Sequence, residues 1–491
     1  MLSSAVDVVK QSAVLLVFMI TLSLLASGGV LRQFAESISG NDPLALLSAI
    51  SSPQIINAVA ASVALYYVVS VIGGAFVNSA EYGSYLKLLS TGKLSVPDVI
   101  ERTGRRWFDM ALTVMVTEAL KYGPLVITFT WIATSGATKV ISEDFNSLVA
   151  FIAFWFAVLF LVGIYTACML VLTVYTYPAA AKGASWHAAI RQSIRACRLS
   201  ASGTLLYALV RVLSSAAILA ISYASSSLSL QVSSLLTTLA GFILIPMLHM
   251  LKTAIFLRAE PEHFIIPLLP GPSVTHDAPS YIWRTSLRKI RTGMGELSKF
   301  LLSPHNVPFH VLSIATFVVG IVAGMQVSSS GLSQLLFALG YQSGKMNPAF
   351  SGIGVPFLAV DLSFHNWSVS LATALSGLAL MIPTLVTMMF NGFILGVVVS
   401  LVPNMGMFLA AILPHGIIEL PSFILAGSVG FSLSIKFIRA LMRGGSSTDS
   451  GIHGAIKQAI YIILGLAPFF ILAGIVEAFV TPFVMRFYGW G

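Results

Sequence analysis

Long apolar segments separated by short polar ones run along the whole chain. A helix needs about 20 consecutive apolar residues to cross a bilayer, and eleven segments have that length and character. They cover residues 12–31, 56–76, 109–133, 148–176, 203–223, 233–257, 307–327, 366–383, 384–402, 406–435 and 456–482. The pattern predicts an all-α polytopic membrane protein with about 11 transmembrane helices.

The positions of the basic residues predict how these spans are oriented. Residues 366–402 contain no charged residue and are too long for one span, so we divide them at Pro383. With that division most of the 27 Lys and Arg residues fall on one side, which the positive-inside rule assigns to the cytoplasm. The N-terminus is then cytoplasmic and the C-terminus lies outside. The first span follows Lys10 as a signal peptide would, but its apolar run is long for one, and we expect it to be retained.

Two of the cytoplasmic loops have an amphipathic helical pattern. Residues 95–106 and 183–198 each place apolar side chains on one face and basic ones on the other. The pattern is typical of elbow helices that lie in the membrane interface, although a loop can also be amphipathic by chance.

Residues 258–306 are rich in proline and polar residues and form the longest interruption of the apolar pattern. They predict a linker between a six-span domain, 1–257, and a five-span domain, 307–491.

Composition agrees with a membrane protein and excludes several other classes. The chain is 57% hydrophobic and 9% charged, whereas a soluble domain carries about 25% charged residues. The net charge of +9 is explained by the cytoplasmic loops and anionic headgroups, so nucleic acid is not needed. Cys168 and Cys197 lie in different segments and suggest neither a disulfide framework nor a zinc site. No HExxH or GxSxG motif occurs.

The segment LPHGIIELPSFILAG, residues 413–427, places ionisable residues inside a predicted span. His415 and Glu419 are four residues apart, so a helix carries them on one face. A charged side chain at the bilayer centre costs about 2.5–3.5 kcal/mol on insertion scales, so both side chains must face polar partners. The available partners, together with the two residues themselves, form a predicted intramembrane polar cluster of Asn366, Asn391, His415, Glu419 and Glu477.

Prolines and small residues surround this cluster in the sequence. Pro414 and Pro421 predict that the tenth span is broken or kinked at membrane depth. Small residues at intervals of four let helices approach closely in lipid. The predicted helix-break and close-packing positions are Pro414, Gly416, Pro421, Gly392, Gly396, Ala426, Gly427 and Gly430.

The cluster alone leaves several roles open. It can be structural and lock the bundle, or Glu419 and Glu477 can line a proton or ion path. One histidine with two glutamates can also bind zinc, but no tight ligand spacing supports a metal site. An intramembrane hydrolase lacks a nucleophile–base signature. Elsewhere, Glu118 and Lys121 are expected to neutralise each other, and Lys252 with His249 to lie at the inner interface.

The second half of the chain resembles the stage II sporulation protein M family. The resemblance covers roughly residues 290–485 and is carried by the following motifs: Asn366, Phe390-Asn391-Gly392 with Gly396, Leu413-Pro414-His415-Gly416, Glu419-Leu420-Pro421, Ala426-Gly427, Glu477-Ala478-Phe479 and Thr481-Pro482. The resemblance implies a membrane component without assigned chemistry; the sporulation member acts with peptidoglycan-hydrolysing partners during engulfment. Many relatives occur in organisms that do not sporulate, so the name does not carry a function.

Pattern and resemblance together predict a non-enzymatic integral membrane protein of the plasma membrane. We expect it to be a subunit or scaffold of a membrane-associated complex that organises or remodels the membrane, without a cofactor, a bound metal or nucleic acid. Its expected partners are membrane proteins not identified by the sequence and anionic headgroups at the basic elbows. The alternative is a permease or ion-coupled transporter with its site at the broken tenth span, where transporters often bind their substrates.

Overall fold

The computed structural model describes ten stretches of the chain, and each regular element in them is a helix. These stretches are residues 2–40, 52–91, 96–139, 145–226, 230–259, 278–338, 354–379, 381–402, 404–442 and 449–488. The Pro-rich part of the predicted linker, 260–277, lies outside the described residues.

The first half contributes nine helices to the described stretches. They are α1 (Leu2–Ser27), α2 (Val30–Ser39), α3 (Pro53–Thr91), α4 (Val96–Lys139), α5 (Phe145–Leu172), α6 (Thr176–Lys182), α7 (Trp186–Leu199), α8 (Ala201–Ser226) and α9 (Leu230–Arg258). Gly29, in a left-handed conformation, turns α1 into α2.

The second half contributes eight α-helices to the described stretches, joined in part by short irregular turns. The helices are α10 (Ala278–Leu302), α11 (Val307–Val327), α12 (Ser333–Ala338), α13 (Gly354–Leu375), α14 (Ile382–Leu401), α15 (Met405–Met442), α16 (Asp449–Ile475) and α17 (Thr481–Phe487). A π-helix, Ser328–Leu332, joins α11 to α12, and a second π-helix, Val476–Val480, joins α16 to α17.

Eight helical stretches of the described chain are long and apolar enough to cross a membrane, and the bent pair α1–α2 makes nine if it counts as one span. The protein is therefore an α-helical multi-span membrane protein. Eight of the eleven predicted spans have a counterpart in this set, and 12–31 corresponds to the bent pair. The predicted span 233–257 lies in α9, and 366–383 begins in α13 and ends at the start of α14; neither α9 nor α13 is among the eight.

Of the two forms predicted for the tenth span, broken or kinked, the break is wrong. Helix α15 runs without interruption from Met405 to Met442 and contains both Pro414 and Pro421. Each proline removes one backbone hydrogen bond, but ending a helix at membrane depth exposes several unpaired backbone groups to hydrocarbon. Continuing the helix therefore costs less than breaking it.

The division of residues 366–402 into two helices is present, with shifted ends. Helix α13 begins at Gly354, twelve residues before the predicted start, and is followed by a 3₁₀ helix, Ser376–Ala379. Met381, directly before α14, has a φ of 73°. The Ser376 and Thr384 hydroxyls are 2.8 Å apart, and the Thr384 hydroxyl also donates to the Thr373 carbonyl, at 3.2 Å, which ties the two helices together.

One predicted elbow is a separate helix and the other is not. Helix α7 buries Ala189, Ser193 and Ala196 against the protein and exposes three arginines. The other elbow, 95–106, was wrongly separated from the span behind it, because the described chain is one continuous helix from Val96 to Lys139. The hydropathy change at residue 107 therefore lies within one helix and not at a helix end.

Contacts between the two halves place the first helix in the core of the second half. Met19 and Ala26 on α1 pack with Val327, Val386 and Phe393. Helix α9 also packs on α13. In the second half, α10 docks on α16, where Gly293 and Gly465 bring the two backbones into contact.

Candidate functional site

Three ionisable side chains meet between α15 and the C-terminal end of the bundle. His415 and Glu419 lie one helical turn apart on α15, and Glu477 lies on the π-helix that joins α16 to α17. One nitrogen of His415 and one oxygen of each glutamate all lie within 4.8 Å of one another. The structure therefore places three of the five cluster residues in one group, which we call the His–Glu cluster.

A threonine fixes the orientation of the histidine ring. His415 is 9% exposed, and its Nδ1 atom lies 3.1 Å from the Thr481 hydroxyl oxygen. The same hydroxyl is placed to donate its own proton to the Val476 carbonyl, at 3.3 Å. In that arrangement its oxygen accepts a hydrogen bond from Nδ1–H, and the neutral ring carries its lone pair on Nε2. The sequence analysis missed Thr481 as a site residue, although it is part of the Thr-Pro motif.

The carboxyl group of Glu419 is only partly satisfied by the protein. Its Oε2 atom is buried and has no hydrogen-bond partner among the described residues. Buried polar groups without a partner are rare, and each one calls for a physical explanation. Among the described residues no hydrogen bond joins Glu419 to His415, whose Nδ1 atom contacts Thr481.

The other two cluster residues line a cavity next to these side chains. The cavity has a volume of about 200 Å³ and is lined by Asn366, Asn391, His415 and Glu419. Asn391 donates from Nδ2 to the Thr387 carbonyl at 2.8 Å, so its side-chain oxygen is left available as an acceptor. The volume is enough for several water molecules.

Aromatic rings line the same cavity between the polar residues. Phe317, Phe423 and Phe470 contribute to its wall, and the rings of Phe317 and Phe423 meet edge to face at 6.5 Å. The polar atoms of the site are thus set into a cavity that is otherwise hydrophobic.

Glycines bring the helices around the site into backbone contact. A Cβ atom added at Gly392 would collide with the carbonyl oxygen of Phe317, and one added at Gly396 would collide with that of Ile321. Gly320 and Gly324 on α11 face the carbonyl oxygens of Met389 and Phe393 in the same way. The sequence analysis singled out the α14 pair and missed the matching α11 pair, which has the same four-residue spacing.

The remaining predicted packing residues lie along α15. Ala426 is completely buried, and a Cβ at Gly430 would lie 2.7 Å from the Thr373 carbonyl oxygen. Gly427 faces the side chains of Ser313 and Met388. Gly416 is looser, since a Cβ atom added there would have as its nearest neighbour a methyl group of Ile412 in the preceding turn, at 3.1 Å.

The site and its glycine contacts lie in the part of the chain that matches a known protein family. Residues 313–482 match the stage II sporulation protein M family. The predicted resemblance is confirmed for this segment, which is about a third of the chain and contains all five cluster residues. No curated protein and no solved structure matches the chain.

A second polar cluster lies outside the stage II sporulation protein M segment and was not predicted. Glu81 on α3 is completely buried, and its Oε1 accepts hydrogen bonds from His249 Nδ1 at 2.8 Å and from the Tyr85 hydroxyl at 3.2 Å. His249 and Lys252, which were expected at the inner interface, thus have partners inside the protein: Lys252 is buried, with Nζ 4.6 Å from the centre of the Tyr82 ring.

The ion pair predicted on α4 adjoins this second cluster. Lys121 Nζ lies 3.1 Å from Glu118 Oε1, and the Tyr177 hydroxyl donates to the same oxygen at 2.6 Å. The Lys252 Nζ atom also lies over the Tyr177 ring, 5.9 Å from the ring centre. The sequence contained a signal for the second cluster, namely an acidic residue, Glu81, and a histidine, His249. Glu81 lies beyond the predicted end of its span at residue 76, so it was not counted as an intramembrane residue.

Proposed function

We propose that the protein is a non-enzymatic, multi-pass protein of the plasma membrane that serves as a subunit or scaffold of a membrane-associated complex. Its N-terminus is cytoplasmic and its C-terminus lies outside. Membrane-protein partners bind its helical bundle, and anionic lipid headgroups bind its basic cytoplasmic surfaces. The match to the stage II sporulation protein M family supports a membrane component of this kind.

The observation that carries this proposal is the way in which the second half is held together. Helices α11 and α14 touch backbone to backbone at four glycines, and α10 and α16 do so at Gly293 and Gly465. Such contacts resist rotation of one helix against another, because any shift drives carbonyl oxygens into Cα atoms. Alternating access in a transporter requires one group of helices to rock against another. The transporter alternative also depended on a broken tenth span, whereas α15 is continuous.

Basic residues supply a surface for lipid headgroups. Arg191, Arg195 and Arg198 are exposed along α7, while the opposite face of the helix is buried. A basic residue near an anionic membrane surface contributes about 1 kcal/mol of attraction, so the three arginines of α7 bind anionic lipid in preference to zwitterionic lipid. Further exposed basic residues lie on α10, namely Arg284, Arg288, Lys289 and Arg291.

Neutralising the two cluster glutamates tests the scaffold against the transporter. For a scaffold, Glu419→Gln and Glu477→Gln should both lower the yield of folded protein and of its complex, because both changes disturb the contact between α15 and the C-terminal π-helix. The yields are measured by size-exclusion chromatography in mild detergent, with partners quantified by mass spectrometry. Glu36→Gln, at an exposed glutamate on α2, is the matched control and should leave both yields unchanged.

The opposite result would replace the proposal with the transporter. In that case the wild-type protein in liposomes supports a pH-dependent flux, and the two glutamine variants fold normally but lose the flux. A scaffold shows no such flux in any variant.

Replacing the arginines of α7 tests the lipid surface. The triple change Arg191→Gln, Arg195→Gln and Arg198→Gln should strongly reduce the amount of phosphatidylglycerol that stays bound in native mass spectrometry. Arg486→Gln, on α17 and on the outer side in the proposed topology, should not. Equal retention by the triple variant and the wild type would contradict a role of α7 in headgroup binding.

A further inference from the structure

We propose that the His–Glu cluster is a binding site for one divalent transition-metal ion, with Zn²⁺ as the ion that its ligand chemistry favours. The ligands are Nε2 of His415 and one carboxylate oxygen each of Glu419 and Glu477. The proposal is independent of the scaffold function, since a membrane subunit can hold a metal ion without using it in catalysis.

The charge of the three side chains matches a divalent cation. Two carboxylates within 4.8 Å of each other repel strongly in apolar surroundings, and no Lys or Arg lies among the residues that line the cavity beside them. A dication bound by two carboxylates and a neutral imidazole gives a site with no net charge. That is the least costly state for an ionic group inside a membrane protein.

The orientation of the histidine prepares it for a metal. The Thr481 hydroxyl accepts the hydrogen bond from Nδ1–H and in turn donates to Val476, which leaves the Nε2 lone pair as the basic position of the ring. Metal-bound histidines usually donate their second N–H to an oxygen in this way, which fixes the tautomer. Within the described part of the chain the hydrogen bond of this ring is made by Nδ1, so Nε2 is the nitrogen available to a metal ion.

The carboxylates fit the same role. Glu419 Oε2 is buried without a hydrogen-bond partner among the described residues, and a metal ion supplies the missing partner. Glu477 lies on a π-helix, a widened turn that occurs often at functional sites. Zinc ligands at about 2.0–2.2 Å from the ion lie roughly 3.3 Å apart, whereas the nitrogen and the two oxygens of this group lie within 4.8 Å of one another, so the side chains must move closer to bind an ion. The soft terminal torsions of the two glutamates allow this.

The site has three protein ligands and an adjoining cavity. Closed structural zinc sites use four protein ligands, whereas open sites use three and keep the fourth position for water or another ligand. The 200 Å³ cavity adjoins the cluster, and the Asn391 side-chain oxygen in its wall can accept a hydrogen bond from a metal-bound water. A nitrogen ligand with carboxylates favours Zn²⁺ and its neighbours over Ca²⁺ or Mg²⁺, which prefer oxygen ligands only.

Metal content of the tag-free protein tests the proposal. The protein is stripped with a chelator in detergent, dialysed against a low concentration of Zn²⁺, and analysed by inductively coupled plasma mass spectrometry. Wild type should retain about one Zn²⁺ per chain, and Glu419→Gln and Glu477→Gln should each lose most of it. His305→Gln, which removes an exposed histidine before α11, should retain the wild-type amount.

A change that leaves all three ligands in place keeps the test decisive if the glutamine variants fail to fold. Thr481→Val removes the acceptor for Nδ1–H and should weaken Zn²⁺ binding about 10- to 100-fold, whereas Thr481→Ser should restore it. Co²⁺ added to the stripped protein should give visible absorption bands that are lost in Thr481→Val. The proposal is overturned if stripped wild type takes up no Zn²⁺ or Co²⁺, or if Thr481→Val binds as tightly as wild type.

Discussion

Alanine at Gly396 should lower the free energy of unfolding of the protein by about 3 kcal/mol, at the upper end of the usual cost of overpacking. The new Cβ atom would collide with the carbonyl oxygen of Ile321 on α11. A backbone carbonyl cannot rotate away as a side chain can, so α11 and α14 must separate along their whole contact. The loss is measured by equilibrium unfolding in mixed micelles of sodium dodecyl sulfate and a mild detergent.

The matched control is Gly163→Ala on α5, where no atom lies within 4 Å of the position of the new Cβ. Alanine has a higher helix propensity than glycine, so this variant should be as stable as wild type or slightly more so. If Gly396→Ala were equally stable, the close approach of α11 and α14 would not exist in the membrane protein.

The glycines on the two helices should also behave as one unit. Gly324 faces the Phe393 carbonyl, one turn from the contact made by Gly396. Once the first alanine has separated the two helices, the Cβ atom of the second alanine no longer collides with the opposite backbone. The combined variant Gly324→Ala and Gly396→Ala should therefore lose less stability than the sum of the two single losses, as expected for residues that share one contact.

The existence of most helices could be predicted from the sequence, but their ends could not. A long apolar run identifies a span because lipid and protein interior are both apolar. Helix α3 continues to Thr91, far past the predicted end at residue 76. The continuation holds Asn78, Ser79 and Glu81, all buried within the protein. A hydropathy scale gives a polar residue the same value whether it is paired inside the protein or exposed to water. A prediction from hydropathy therefore ends this span before the buried polar residues.

The candidate site divides in the same way into local and tertiary parts. The four-residue spacing of His415 and Glu419 sufficed to place them on one face, because that geometry belongs to a single helix. The approach of Glu477 was inferred from the cost of an isolated carboxylate in lipid, which limits the possible partners. The hydrogen bond from His415 to Thr481 joins residues 66 positions apart, and no pattern in either segment specifies it.

The prediction of a broken tenth span was wrong because it considered the prolines alone. It left out the larger cost of a helix end in hydrocarbon.

Removing the imidazole of His249 should destabilise the first half by about 3 kcal/mol, as expected when one partner of a buried pair is lost. His249→Phe keeps a ring beside Tyr82, whose centre lies 5.7 Å from that of the histidine. It removes the donor 2.8 Å from Glu81, a side chain with no exposed surface. Among the described residues, Glu81 is then left with the longer hydrogen bond from Tyr85 to its Oε1, and its Oε2 has no partner.

Removing both members of the pair should restore much of that stability. When both partners of a buried hydrogen bond are replaced by apolar groups of similar shape, the change can be nearly neutral. The double variant Glu81→Leu and His249→Phe should therefore be more stable than His249→Phe alone in the same unfolding assay. Lys299→Gln, which breaks the exposed pair with Glu296 on α10, serves as the control and should change stability little, because exposed ion pairs contribute little. A His249→Phe variant as stable as this control would show that Glu81 does not need its partner, and that the second polar cluster does not hold α3 to α9.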